Sequence, residues 1–342
     1  MVKLSLLLPL SWLYGQVTAI RNNLFDRGLF RQFSPRQRTV SVGNLTVGGT
    51  GKTPLIEYMA RILLTNKTIA TLSRGYGRQT QGFRVADQRT DTAETIGDEP
   101  LQLLRKFGDT ITVCVGEKRA DALRELYQLR PDISTVLLDD AFQHRAVLPH
   151  LNLLLCDYNR PFYADYPFPA GLLREGRQGA NRADAVIVTK CPNTLSDAEQ
   201  ADIRRKIGRH SRPRVPVFFA GLRYDPLISF ADSEIAAPLL PGQPVVLVSG
   251  LANADPLEQY VRGQFALLSH CRFADHYAYT RADVDRLLSQ LPAGATVLTT
   301  EKDWVKLDTL LTNTEKKRWV YLPIVVRFLA EEAAFQMLVT SP

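Results

Sequence analysis

The chain has 342 residues, enough for two domains at roughly 150 residues each and for a core that needs neither disulfide nor metal. With 45% hydrophobic and 23% charged residues, and no low-complexity run or heptad series, it is not disordered, collagen-like or a coiled coil. The net charge is +7, and most of it lies in residues 1–38, where Lys3, Arg21, Arg27, Arg31, Arg36 and Arg38 oppose Asp26 alone. That excess adjoins the most apolar stretch, Leu4 to Ile20, which points to an anionic membrane surface and not to nucleic acid. The four cysteines (Cys114, Cys156, Cys191, Cys271) are widely spaced with no C-x-x-C pair, so free thiols are expected.

The apolar segment itself, Leu4–Ile20, carries Lys3 but no small-x-small cleavage site, against a signal peptide. Pro9, Gly15, Gln16 and Thr18 interrupt it, and it falls short of the roughly 20 apolar residues that span a bilayer. Leu10, Leu13, Tyr14, Val17, Ile20 and Leu24 recur at i, i+3/i+4, which predicts a helix lying in a membrane interface. Trp12 and Tyr14 suit the headgroup level. The alternative is a helix packed on the domain core.

From Thr39 onward, short apolar runs alternate with amphipathic ones. Strands are expected at Thr39–Val42, Thr68–Leu72, Ile111–Val115, Thr135–Leu138, Asn152–Cys156 and Ala185–Val188. Helices are expected between them, at Pro54–Leu64, Glu99–Phe107, Glu117–Leu129 and Asp197–Ile207. This is the pattern of a mostly parallel sheet with helices on both faces. Arg212–Pro216 reads as a boundary, and Val217–Ala220 with Arg223–Tyr224 as a connecting ribbon. A smaller second α/β series follows at Val245–Val248, Thr296–Leu298 and Val320–Val326. The expected division is a membrane-associated helix (1–30), a larger α/β domain (31–214), a hinge (215–228) and a smaller C-terminal α/β domain (229–342).

The strongest local signal follows the first strand. Thr46-Val-Gly-Gly-Thr-Gly-Lys-Thr53 leads from a β-rich run into a helix opening at Pro54, the arrangement of a phosphate loop. Glycines at 48, 49 and 51 let backbone N–H groups of Thr46, Val47, Gly48, Gly49, Thr50 and Gly51 curl toward an anion. Lys52 is placed for β- and γ-phosphates and the Thr53 hydroxyl for Mg²⁺. Thr46 stands where the strict pattern has glycine.

Ser134–Asp140 is an apolar strand ending in Asp139 and Asp140. Alone, such a pair is a strand-end turn or helix cap; beside a phosphate loop it reads as Mg²⁺ ligands. Val186–Pro192 is similar to the base-reading segment of guanine binders, but Pro192 replaces the aspartate, so ATP is the expected nucleotide.

Seven further strings occur in one order: Pro9-Leu-Ser-Trp-Leu-Tyr-Gly15, Ser73-Arg-Gly-Tyr-Gly-Arg78, Ile96-Gly-Asp-Glu-Pro100, Leu138-Asp-Asp-Ala-Phe-Gln-His-Arg145, Pro169-Ala-Gly-Leu-Leu-Arg-Glu175, Phe273-Ala-Asp-His-Tyr277 with Thr280, and Thr300-Glu-Lys-Asp303. Together they resemble the tetraacyldisaccharide 4'-kinases of lipid A biosynthesis, over residues 9 to about 307. The resemblance implies ATP-dependent phosphorylation of the 4'-hydroxyl of a tetraacylated glucosamine disaccharide 1-phosphate. It also implies attachment to the cytoplasmic face of the inner membrane through the N-terminal helix; no obligate protein partner is implied.

On residues alone, Asp98 and Glu99 are either helix-capping acids or catalytic groups. The resemblance makes Asp98 the general base, puts Glu99 near the metal, and pairs His276 with Asp98 across the domains. His144, Arg145 and Arg174 are candidate phosphate contacts, against the reading of each as a surface salt bridge.

Overall fold

In a computed structural model, which describes residues 2–231 and 242–341, the chain builds two sheets. Met1, residues 232–241 and Pro342, at the edges of the expected N- and C-terminal segments, and the side chains of residues 2–6, Lys3 among them, lie outside what is described. The first sheet contains β1 (Arg38–Asn44), β2 (Ile69–Ser73), β3 (Arg84–Val85), β4 (Thr112–Val115), β5 (Thr135–Asp139), β6 (Leu151–Asp157), β7 (Ala185–Thr189) and β8 (Val217–Tyr224). The second contains β9 (Ile228–Ser229), β10 (Pro244–Ser249), β11 (Ala266–Arg272), β12 (Thr296–Thr300) and β13 (Trp319–Leu322). A last strand, β14 (Ile324–Phe328), returns to the first sheet, whose order is β14-β8-β7-β6-β1-β5-β2-β4-β3.

Strands β4 through β8 of that order run parallel, and only the edges β3 and β14 are antiparallel. The central strands are buried along nearly their whole length, as continuous Val/Leu/Ile runs covered on both faces must be. Helices α1 (Val2–Asp26), α2 (Lys52–Leu63), α3 (Ala93–Ile96), α4 (Asp98–Phe107), α5 (Arg119–Leu129) and α6 (Asp197–Gly208) accompany this sheet. The second sheet, β11-β10-β12-β13-β9, carries α7 (Asp255–Gln264), α8 (Arg281–Ser289), α9 (Glu301–Leu307) and α10 (Asn313–Lys316). The chain ends in α11 (Glu332–Thr340). The expected strands are all present, and the cysteines are unpaired.

Two boundaries differ from expectation. Residues 215–228 are not simply a linker: Val217–Phe219 pair with β7 inside the main sheet, and only Ala220–Tyr224 run on as a two-stranded ribbon with β14. The apolar run Val320–Val326 is likewise two strands, broken at Pro323, which has no N–H to continue a ladder. Its first half belongs to the second sheet and its second half to the first. The C-terminal segment therefore does not stay in the second domain. Phe335 of α11 is fully buried, its ring 4.6 Å from Phe328, 5.3 Å from Phe218 and 6.1 Å from Tyr58 on α2.

Helix α1 also departs from the pattern reading. Ser11, Tyr14, Asn22 and Phe25 turn inward, while Leu10, Trp12, Leu13, Val17 and Ile20 remain outward and more than half exposed. Its docking is largely polar. The Tyr14 hydroxyl donates to the Arg174 carbonyl (2.8 Å), Asn22 donates to Glu175 (2.6 Å), and the Ala170 amide donates to Ser11 Oγ (2.7 Å). Tyr14 is thus an anchor to the protein body and not part of the apolar stripe.

Removing the Phe335 ring leaves a cavity between α11, α2 and the ribbon. Phe335→Ala should lower unfolding free energy by about 3–5 kcal/mol in urea titrations, the usual cost for a buried Phe. A loss below 1 kcal/mol is incompatible with this packing.

Candidate active site

The loop after β1 curls as the glycines allow. Gly48 and Gly51 have φ of 108° and 84°, backbone that side chains with a Cβ rarely adopt. Neighbouring strand ends brace it from below. Thr189 at the end of β7 donates to the Thr50 carbonyl (2.8 Å), Lys190 to the Gly49 carbonyl (2.5 Å), and Arg160 to the Val47 carbonyl (2.6 Å). Pairing of Thr46 with Leu173 closes the loop's entry. With these carbonyls held outward, the loop leaves its amides and the start of α2 to a phosphate chain. The Val47 amide is the exception and is not free as expected: it donates to the Leu172 carbonyl (2.8 Å) in the pairing that closes the loop's entry. Lys52 and Thr53 open that helix.

The carboxylates at the end of β5 face the same space. Asp140 has a φ of 48° and lies 3.6 Å from Lys52 Nζ; Arg174 donates to both its oxygens at 2.8 and 2.9 Å. Burial pushes the Asp140 carboxyl up, but Lys52, Arg174 and Arg119 outweigh it and hold it below the ordinary carboxylate range. Asp139 is in the opposite state. Burial and the neighbouring charges of Glu99 and Asp140 push it up to about 7, and its buried Oδ1 has no hydrogen-bond partner.

A cavity of about 330 Å³ joins these groups. Its walls include Arg74, Tyr76, Asp98, Glu99, Asp139, Asp140, Arg174 and His276. Gly97, at φ 93°, lets residues 75–76 lie directly against the start of α4; a Cβ there would stand 2.9 Å from the Tyr76 carbonyl oxygen. Asp98 is thereby aimed into the cavity from the first domain. His276 enters from the second domain with Nδ1 3.1 Å from Asp98 Oδ2. The pair expected across the domains is assembled in this conformation.

The three candidate phosphate contacts separate. Arg174 lines the cavity on Asp140. Burial and Arg119 lower the His144 imidazole to about 4, so it is neutral near pH 7. Arg145 is turned away from the cavity: it donates to Asp26 at 2.6 Å and lies over the Phe25 ring, fastening α1. Sequence reasoning missed Arg119, a nearly fully buried arginine that donates to the Asp139 carbonyl at 3.1 Å. Burial lowers its pKa to about 10, still charged at neutral pH. Its signal was its place at the start of a helix directly after strand β4.

A glycine-rich loop on a parallel sheet, a loop lysine, and a carboxylate pair at the adjacent strand end define a phosphate-loop nucleotide-dependent enzyme. The family described as tetraacyldisaccharide-1-P 4'-kinase matches residues 3–341. Tetraacyldisaccharide 4'-kinases of Cytophaga hutchinsonii and Flavobacterium johnsoniae are 41% and 39% identical, over 96% and 97% of this chain and 92% and 95% of their own lengths. The crystal structure of "apo"-form LpxK from Aquifex aeolicus in complex with ATP superposes with a TM-score of 0.78 at 27% identity, covering 99% of this chain and 98% of that one. The chain belongs to the tetraacyldisaccharide 4'-kinase family and is an ATP-dependent kinase of lipid A biosynthesis, acting on the 4'-hydroxyl of the tetraacylated disaccharide 1-phosphate.

Asp139 carries a proton-linkage consequence. Its folded-state value lies above the unfolded 3.8, so the native chain keeps a proton that the unfolded chain sheds. Stability from this group is present at low pH and is lost as pH rises through about 7. Asp139→Asn should therefore be more stable than the parent at pH 8, on the order of 4 kcal/mol, with the gap closing toward pH 4 in urea titrations. A gap that does not change with pH contradicts the buried, repelled carboxylate.

Proposed function

We propose that phosphoryl transfer takes place in the cavity between the phosphate loop and the Asp98–His276 pair. One observation carries this reading: the base candidate from one domain and its histidine from the other open onto the cavity that holds Asp139, Asp140 and Arg174. Lys52 and the loop amides bind the β- and γ-phosphates of ATP. Asp98 accepts the proton of the attacking 4'-hydroxyl, and His276 holds the far oxygen of that carboxylate. Arg174, at the cavity wall, is placed to exchange Asp140 for a phosphate oxygen.

Thr53, Asp139, Asp140 and Glu99 are the residues from which Mg²⁺ would draw its one or two carboxylates and its hydroxyl ligand. The unpartnered buried Oδ1 of Asp139, crowded by Glu99 and Asp140, fits a divalent cation, which would relieve that repulsion. Among the described residues no three acidic, His or Cys side chains converge on one point, and Mg²⁺ commonly takes one or two carboxylates with the rest of its shell from phosphate and water. When bound, the ion neutralises charge developing on the transferring phosphoryl group.

The reading is tested with ATP, Mg²⁺ and the disaccharide 1-phosphate, following one added phosphate by mass spectrometry. Lys52→Ala, Asp140→Ala and Asp98→Asn should each lower kcat at least about a hundredfold while remaining folded. Near-normal turnover in folded Lys52→Ala overturns the nucleotide site, and in Asp98→Asn the base.

We also propose that α1 lies in the membrane interface, at the cytoplasmic face of the inner membrane. Its support is the outward row Leu10, Trp12, Leu13, Val17 and Ile20 on a helix docked by polar contacts, with Phe168 and Leu172 exposed nearby. Among the described residues no helix is long and apolar enough to cross a membrane. Replacing Leu13, Val17 and Ile20 together by Glu should cut co-sedimentation with anionic phospholipid vesicles at least about tenfold without changing Tm or ATP binding. Unchanged partition rejects the interfacial role.

A further inference from the structure

The Thr300-Glu-Lys-Asp303 string has no part in the site as described so far. It caps and opens α9, where Thr300 Oγ accepts from the Asp303 amide at 3.1 Å. Lys302 and Lys306 are four residues apart on this helix and so share a face. That face meets the Asp98–His276 pair.

Lys306 is nearly buried. Its Nζ lies 3.4 Å from Asp98 Oδ2 and 3.5 Å from Asp303 Oδ1, donates to the Tyr277 carbonyl at 3.0 Å, and sits 5.3 Å from the Tyr279 ring centre. Asp303 is fully buried and accepts from the Gly250 amide (2.9 Å) and the Thr300 hydroxyl (2.7 Å), so it is a fixed counter-charge that anchors the ammonium. The ammonium is thereby shared between a structural carboxylate of its own domain and the base of the other. Lys302 donates to Asp275, and its Nζ lies 3.3 Å from His276 Nε2. An ammonium only donates, so Nε2 must be the acceptor and the imidazole proton must be on Nδ1, which faces Asp98 Oδ2. The contacts thus assign the tautomer. His276 itself has a φ of 58°, a conformation its surroundings must hold.

Both cross-domain contacts to Asp98 fall on Oδ2. Among the described residues no hydrogen bond falls on Oδ1, and it is the oxygen left for the acceptor hydroxyl. We propose that α9 supplies two positioning residues for the kinase reaction: Lys306 fixes Oδ2 of Asp98, and Lys302 fixes the Nδ1-protonated tautomer of His276. Neither lysine lines the cavity. They act through the pair, and the inference rests on Asp98 being the base.

The test is steady-state kinetics of the full chain with ATP and the lipid acceptor, alongside Tm. Lys306→Met should lower kcat about ten- to a hundredfold with both KM values within about twofold of the parent. In an Asp98→Asn background the same change should cost less than about twofold, because groups acting as a unit are non-additive. Lys302→Met should lower kcat several-fold, and that loss should vanish in a His276→Gln background. Since Lys306→Met leaves Asp303 unpaired, Lys306→Met/Asp303→Asn serves as the charge-balanced companion if the single variant does not fold. Parental kcat in either folded variant, a loss confined to KM or Tm, or full multiplication with Asp98→Asn overturns the assignment. Parental kcat in Asp98→Asn itself overturns the base reading, and this inference with it.

Discussion

The chemistry depends on one buried ion triad. Lys106, in the last turn of α4, lies 2.5 Å from Glu57 of the phosphate-loop helix α2 and 2.5 Å from Glu301 of α9 in the second domain. Gln102 donates to the other oxygen of Glu57 (2.8 Å), and the Ile324 amide to Glu301 (3.2 Å). Two carboxylates around one ammonium leave an excess negative charge, and burial together with Glu301 pushes Glu57 up to about 7. Such a group is expensive to desolvate and contributes little to stability beyond an apolar replacement. What it supplies is register. It joins the helix that starts at Lys52, the helix that starts at Asp98 and the helix that carries Lys302 and Lys306.

Around that triad the two sheets share a continuous apolar core, from Val40 and Leu55 through Leu101 and Leu104 to Val248, Trp304 and Trp319. The nucleotide-binding elements and the second domain are therefore packed parts of one interior. This explains how a site divided between two sheets brings His276 to 3.1 Å from Asp98. The same core reaches α11, whose buried Phe335 packs beside Tyr58 of α2.

The elements legible in the sequence were those whose signal is local. The phosphate loop is a strand, a glycine turn and a helix start within sixteen residues, Thr39–Pro54, each with its own chemical mark. Asp139 and Asp140 were readable because an apolar strand ended on them. Asp98 and His276 needed the family resemblance, since 178 positions separate them. Val320–Val326 misled because apolar β-branched residues show no sign of which sheet they join; only Pro323 marked the break. Tyr14 misled for the opposite reason: its ring fits an apolar stripe, while its hydroxyl decides that it faces Arg174. Arg145 and Arg174 are alike in sequence, and only tertiary structure tells a clasp on Asp26 from a wall of the cavity.

The break at Pro323 has a mechanical consequence. Because β14 lies beside the outer half of β8, the chain crosses between the domains twice along one narrow two-stranded ribbon. A single crossing would act as a swivel, free to turn about several axes. A paired crossing, bonded strand to strand, resists twisting and in-plane shear and yields mainly by flexing across its face. Were the two halves to separate, such a ribbon would steer them along one arc, so that α9 would meet α4 again in the same alignment.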